Sequence, residues 1–255
     1  MNKRIIPVLL LSNNALCKSV RFKDHKYIGD PINAVRIFSE KEADEIAFLD
    51  IDATKKGLGP NYEFIKDISS EAFMPFSYGG GITNLFQAEK VLKHGCEKLI
   101  INNSFQKDSK FADELIKEFG SSTIVCCIDI KKNMFGTYQV YSYYNKRTIS
   151  ENFESYVNRC EDTGFGEVVI QSVNNDGKRE GYDKSLIEKS RKIISSQLVS
   201  LGGAGNINDL KEAISIGVDA AAAGSLFSFH GKYRAVLISY PTYEEIKAIS
   251  FQSKG

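Results

Sequence analysis

Little in this chain leans to one side. Lysine and arginine number 33 against 32 aspartates and glutamates, the net charge is +1, and no basic stripe interrupts the sequence. A nucleic-acid partner, which needs concentrated positive surface, is therefore not expected. No apolar run approaches the ~20 residues that span a bilayer, so no membrane association is expected either. The opening MNKRIIPVLLLSNN lacks the length of a secretory h-region and reads better as a buried strand. Five cysteines (Cys17, Cys96, Cys126, Cys127, Cys160) are odd in number and show no CxxC spacing. They read as reduced thiols of a cytoplasmic protein, with no metal site and no cofactor expected. Composition does not shift along the 255 residues, so residues 1–255 read as one α/β domain of the size of an eight-fold barrel. A chain of this length buries roughly 75% of its unfolded surface and needs no covalent staples.

What is present is an internal repeat. FLDID (48–52), SYGGGI (77–82) and INNSF (101–105) return as VVIQSVNNDG (168–177), SLGGAGNI (200–207) and AAGSLF (222–227). The offsets agree, with 123 residues from Gly80 to Gly203 and 122 both from Asn103 to Ser225 and from Asp50 to Ser172. Two equivalent half-units imply two anion sites facing one pocket, hence a ligand with a phosphate at each end.

Strand-like runs fall at 4–11, 46–51, 74–78, 98–102, 123–130, 167–173, 197–201 and 219–224. Helical patterns lie near 31–43, 61–71, 84–94, 107–119, 150–164, 184–195 and 206–217, with a last one near 242–249. Asp30 before Pro31 marks a helix start, and Asn206 or Asn208 can cap the seventh helix. Eight βα units with a two-fold half-barrel repeat point to a (β/α)₈ TIM barrel. An open doubly wound sheet explains the alternation but not the repeat. The stretch 132–148 alternates aromatics around a glycine and reads as a β-hairpin inserted after strand five, either a lid or an ordinary surface ribbon.

In such a barrel the strand C-termini build the active rim, which places Asp50, Gly79–Gly81, Asn102, Asn103, Asp129, Ser172–Gly177, Gly202, Gly203, Gly224 and Ser225 together. Glycines let main-chain N–H groups approach a phosphate, and helix N-termini add positive dipole, although tight turns alone also use glycine. Asp129 ends strand five and suits a general acid or base; a structural hydrogen-bonding aspartate is the alternative. Asp50 reads as structural support. At the opposite ends, Arg4, Glu45, Lys98 and Glu167 alternate in sign and can point to the axis, which alone reads as a salt-bridge layer closing the barrel bottom.

RIIPVL (4–9), GDP (29–31), DEIAFLDI (44–51), YGGGI (78–82), KLIINNS (98–104), CIDIK (127–131), DGKREGYD (176–183), GGAG (202–205) and AAGSLF (222–227) together resemble the cyclase subunit of imidazole glycerol phosphate synthase, along nearly the whole chain. The resemblance implies a (β/α)₈ barrel that takes ammonia from a glutaminase subunit docked at its N-terminal face. It also implies a bisphosphate ribotide substrate, closed to imidazole glycerol phosphate at the other face. By position it assigns one phosphate site to Gly81, Asn102 and Asn103, and the other to Asp176, Gly177, Gly203, Gly224 and Ser225. Lys18 matches the flexible-loop lysine after strand one. Arg4, Glu45, Lys98 and Glu167 match the gate where ammonia enters.

One departure outweighs these matches. The family uses aspartates at the ends of strands one and five; Asp129 matches the second, whereas RIIPVLLLSNN puts Leu10 at the first, and no carboxylate follows until Asp24. Loss of a positioned acid–base group costs ~10²–10⁴ in rate. Asn103, Gln171 and Asn174 also differ from the usual family residues. The resemblance then implies a divergent paralogue, weak or inactive as a cyclase, that supplies ammonia to a sugar amidotransferase in lipopolysaccharide or O-antigen biosynthesis. A genuine histidine-pathway cyclase and a non-catalytic bisphosphate-sensing activator of the glutaminase are the other readings.

Overall fold

The computed structural model describes residues 3–231 and 233–250. Eight parallel strands form its centre: β1 (Arg4–Ser12), β2 (Ile46–Asp50), β3 (Phe76–Gly79), β4 (Lys98–Ile101), β5 (Ile124–Lys132), β6 (Glu167–Ser172), β7 (Gln197–Leu201) and β8 (Ala220–Ala223). Each pairs with the next, β8 returns to β1, and the β5–β6 ladder from Val125–Glu167 to Ile130–Ser172 completes a closed cylinder. The helices that follow are α1 (Pro31–Glu40), α2 (Tyr62–Glu71), α3 (Leu85–Lys93), α4 (Ser109–Phe119), α5 (Phe153–Thr163), α6 (Lys184–Arg191) and α7 (Ile207–Ile216), with α8 (Tyr243–Ser250) last. The fold is the (β/α)₈ barrel that the repeat predicts, and the open sheet is excluded. No helix among the described residues is long and apolar enough to cross a membrane. All five cysteines are free and buried.

Alternation along the strands divides the core into two layers. Ile5, Leu9 and Leu11 of β1 point outward beneath the helices, while Ile6 and Val8 join Ala47, Ile100, Val125, Cys127, Val169, Val199 and Leu201 inside the barrel. Both faces of a strand are therefore apolar, as parallel strands covered by helices require. Local chemistry sets the helix starts. The Asp30 carboxylate accepts from Asn33 N at 2.9 Å ahead of Pro31, and Asn206 forms a reciprocal capping box with Asp209.

The segments above the barrel depart from the sequence reading. Residues 15–20 and 23–29 form two further antiparallel strands on the extension of β1, where a plain loop is expected. Lys23–Gly29 lies mostly in solvent, so its polar composition hides the pairing. After β5, Tyr138–Ser142 pairs back on β5 and Arg147–Asn152 pairs on that strand, giving a three-stranded meander instead of a lone hairpin. Helix α5 consequently begins at Phe153, because the preceding Asn152 is in the ribbon and caps it. Short helices at Ala53–Lys56, Asn103–Lys107 and Ser225–Ser228 follow β2, β4 and β8 directly. The latter two start at Asn103 and Ser225, positions equivalent in the half-repeat.

The helix at Asn103–Lys107 is too short to persist alone and is held by Phe105. That ring is fully buried, edge-on to Tyr156 and Phe165 at 5.7 and 5.1 Å between centroids. Phe105→Ala is expected to cost about 3–5 kcal/mol, read as a fall in the urea midpoint at unchanged slope. A loss below about 1 kcal/mol would mean that the helix is anchored elsewhere.

Candidate functional site at the C-terminal mouth of the barrel

The parity that puts Arg4, Ile6 and Val8 inside also puts Leu10 inside, one step higher. The same step brings Asp129 up from Val125 and Cys127, Asn102 from Lys98 and Ile100, and Gln171 from Glu167 and Val169. All four line one open cavity of about 1060 Å³, counting its mouth, together with Gly79–Gly81, Asn103 and Gln106. Phe22 of the first ribbon packs edge-on against Tyr143 of the second at 5.6 Å, so the two ribbons meet over this space.

Asp129 is 4% exposed, and Oδ2 accepts from Asn102 Nδ2 at 2.9 Å. Burial drives its pKa from 3.8 to about 7; the Asn102 hydrogen bond opposes the rise and the charge of Asp176 adds to it. A carboxyl half-protonated near neutrality can both give and take a proton. The neighbouring carboxyls on this rim are engaged in other contacts. Asp50 Oδ1 accepts from the main-chain N–H groups of Asp52 and Ala53, both at 2.9 Å, and so starts the short helix there. Asp176 Oδ2 accepts from Ser19 Oγ at 3.1 Å and from Phe22 N at 3.5 Å, which pins the first ribbon. Leu10, in register with Cys17 and Leu49, brings no polar atom to the cavity.

The two half-units form two clusters. In the first, Gly81 N donates to Thr54 Oγ1 at 3.2 Å, Asn103 opens its short helix, and Asn103 Oδ1 is buried without a partner. In the second, Lys18, Asp176, Gly177, Gly203, Gly224 and Ser225 share a smaller cavity with Leu10 and Gln171. Gly203 has φ +118°, and a Cβ there would run into the Gly181 carbonyl. Gly224 leaves the space taken by the Lys18 ammonium, which a Cβ would strike. Close packing thus accounts for both of these glycines. Lys18, expected on a flexible loop, lies on the strand Ala15–Val20 with Nζ donating to Val8 O at 2.7 Å. Burial lowers its pKa from 10.5 to about 8, with Asp176 opposing.

At the other end, Arg4, Glu45, Lys98 and Glu167 come together as one ring. Arg4 bonds both carboxylates, and Lys98 Nζ lies 3.0 Å from Glu45 and 3.4 Å from Glu167. Burial lowers the Arg4 pKa, but the charges of Glu167 and Glu45 outweigh it and the net direction is upward. Gln197 joins the ring, its Oε1 accepting from Arg4 Nη2 at 2.8 Å. Sequence reasoning missed it, although it opens β7 in register with Glu167. Thr54 and Gln106 were also missed. For Gln106 the available signal is its place four residues after Asn102. Above the ring, Glu45 and Glu167 border an apolar cavity on the axis, and Leu49, Ile100 and Cys127 line both this cavity and the upper one. Among the described residues no three His, Cys, Asp or Glu side chains converge to hold a metal ion.

Residues 4–234 match the family described as histidine biosynthesis protein. The chain is 42% identical over 247 residues to the Pseudomonas aeruginosa protein provisionally named imidazole glycerol phosphate synthase subunit hisF2, covering 96% of this chain and 98% of that one. It is 41% identical over 249 residues to the similarly named hisF3 of Vibrio vulnificus, covering 97% and 96%. Against imidazole glycerol phosphate synthase subunit HisF of Helicobacter hepaticus it is 36% identical over 227 residues, covering 89% and 90%.

The raised pKa of Asp129 has a consequence for stability. The folded chain holds this proton up to about pH 7, the unfolded chain only to about 3.8, so the stabilisation is full below 3.8 and is lost as pH rises through 7. Asp129→Asn, which keeps an acceptor for Asn102, is expected to be more stable than the parent at pH 8, by up to about 4 kcal/mol, with the gap closing toward pH 4. Thermal melts across this range check it; a gap independent of pH would contradict the assignment.

Proposed function

Since this chain belongs to the histidine biosynthesis protein family, among the cyclase subunits of imidazole glycerol phosphate synthase, we propose that it is the ammonia-accepting barrel of a two-component glutamine amidotransferase. A glutaminase subunit docks over the charged ring, ammonia passes Arg4, Glu45, Lys98 and Glu167, and it crosses the apolar interior to the mouth cavity that Asp129 lines. Gly81, Asn102 and Asn103 receive one phosphate of the ligand; Asp176, Gly177, Gly203, Gly224 and Ser225 receive the other, with Lys18 between them and β1. Asp129 handles protons there, without the second carboxylate that cyclisation uses.

The observation that carries the reading of a weakened cyclase is Leu10 facing this cavity while Asp50 and Asp176 are committed to main-chain and ribbon contacts. The role then shifts from closing an imidazole ring to supplying nitrogen. Sugar amidination in lipopolysaccharide biosynthesis, with a sugar amidotransferase as the acceptor enzyme, fits that shift. A genuine cyclase is the second reading, favoured by Asp129 alone: a carboxyl titrating at about 7 can serve in turn as acid and as base.

Purified chain given the bisphosphate ribotide and ammonium salt separates the two. Turnover is expected at least ~10²-fold below that of a two-aspartate cyclase, and Leu10→Asp should raise it. Turnover at ordinary cyclase rates would overturn the proposal. With the glutaminase partner present, Lys98→Ala should leave glutamine hydrolysis running while less of its ammonia reaches the acceptor. Coupling unaltered by that substitution would return the four charges to a structural role alone.

A further inference from the structure

The Asn102 amide meets Asp129 with its nitrogen, and the reason lies one helical turn further on. Gln106 sits four residues after Asn102 on the helix Asn103–Lys107, its own N–H bonded to Asn102 O at 3.0 Å. Its side-chain Nε2 donates to Asn102 Oδ1 at 3.0 Å and to the main-chain carbonyl of Tyr141 at 3.3 Å. A main-chain carbonyl only accepts, so Tyr141 fixes which end of the Gln106 amide is the donor. That donor holds the oxygen of Asn102, and the nitrogen of Asn102 is left facing Asp129 Oδ2 at 2.9 Å. A rotated Asn102 would set two NH₂ groups against each other at one end and two oxygens at the other. We propose that Gln106 is a positioning residue for Asp129, holding Asn102 in the one orientation that donates a hydrogen bond to the carboxyl.

The chain runs from the ribbon strand Tyr138–Ser142, through the short helix after β4, to the end of β5. A donor at Oδ2 favours the ionised carboxyl over the protonated one, so Gln106 sets how much of Asp129 is available as a base. The other titratable groups around Asp129 are Asp176 from the loop after β6, Cys127 on β5 itself, and Tyr141 and Tyr143 of the ribbon. Asn102 is the hydrogen-bond donor to this carboxyl among the described residues. Gln106 is partly exposed beside the cavity, so its truncation spares the core anchored by Phe105.

The catalytic meaning of this arrangement rests on Asp129 being the proton-handling group, but its test needs no turnover. The side-chain carboxyl of Asp129 is followed by ¹³C NMR between pH 4 and 9, assigned by its loss in Asp129→Asn. Gln106→Leu is expected to move the midpoint upward by roughly one unit, a tenfold smaller ratio of carboxylate to acid at a given pH. Gln106→Asn, which keeps an amide but cannot span the gap, should do the same, and Asn102→Leu should match both. The double variant Gln106→Leu/Asn102→Leu should add nothing further, as expected of two residues acting through one bond. Midpoints unchanged in both Gln106 variants, with native near-ultraviolet dichroism, would overturn the proposal; so would additive shifts in the double variant. A chain inactive on the ribotide would bear only on the proposed function.

Discussion

The height of each inward-facing side chain is set by a two-residue alternation running up eight parallel strands, locked by closure between β5 and β6. On β1 the inward series is Arg4, Ile6, Val8, Leu10; on β4 and the residue that follows it, Lys98, Ile100, Asn102; on β5 it is Val125, Cys127, Asp129. A slip of one residue in any strand would turn this series out beneath the helices and bring the outer apolar set inside. Closure forbids the slip, since both neighbours of every strand would have to slip with it. The charged floor, the apolar middle and the polar mouth are therefore three levels of one constraint.

The two charged levels meet burial in opposite ways. At the floor, Glu45 and Glu167 are about 5% exposed, and each has an arginine and a lysine as partners. Such a ring is satisfied in itself, which is the condition for keeping charge out of water. At the mouth, Asp129 is as deeply buried and has one amide. It meets burial by holding a proton to higher pH. Groups so arranged are a drain on stability near neutrality, and folds retain them where chemistry needs them. The first ribbon shows the complementary pattern: the carboxyl of Asp176, with Lys18 and two ribbon donors around it, serves to hold structure in place.

Much of this was legible in the residues. The matched offsets of Gly80 with Gly203 and Asn103 with Ser225 predict equivalent loops, and the short helices opening at Asn103 and Ser225 are that equivalence in three dimensions. The ring of Arg4, Glu45, Lys98 and Glu167 could be read because each falls at a strand start with the parity of the barrel interior. The two ribbons were less legible. Lys23–Gly29 has no buried face to impose period two, and 147–152 carries polar residues that suit a helix start as well as an edge strand. Gln106 escaped for another reason: its place four residues after Asn102 signals a contact, but it matters through the orientation of that neighbouring amide, which spacing does not encode.

Leu49, Ile100 and Cys127 stand between the axial cavity and the one above it, and they give that partition a selectivity by charge. An ion crossing it would shed its hydration against hydrocarbon and a thiol, a transfer whose idealised cost is of order 20 kcal/mol. A small neutral molecule loses only hydrogen bonds there, on the order of a few kcal/mol. Crossing the wall is therefore far costlier for an ion than for a small neutral molecule, whatever the solute.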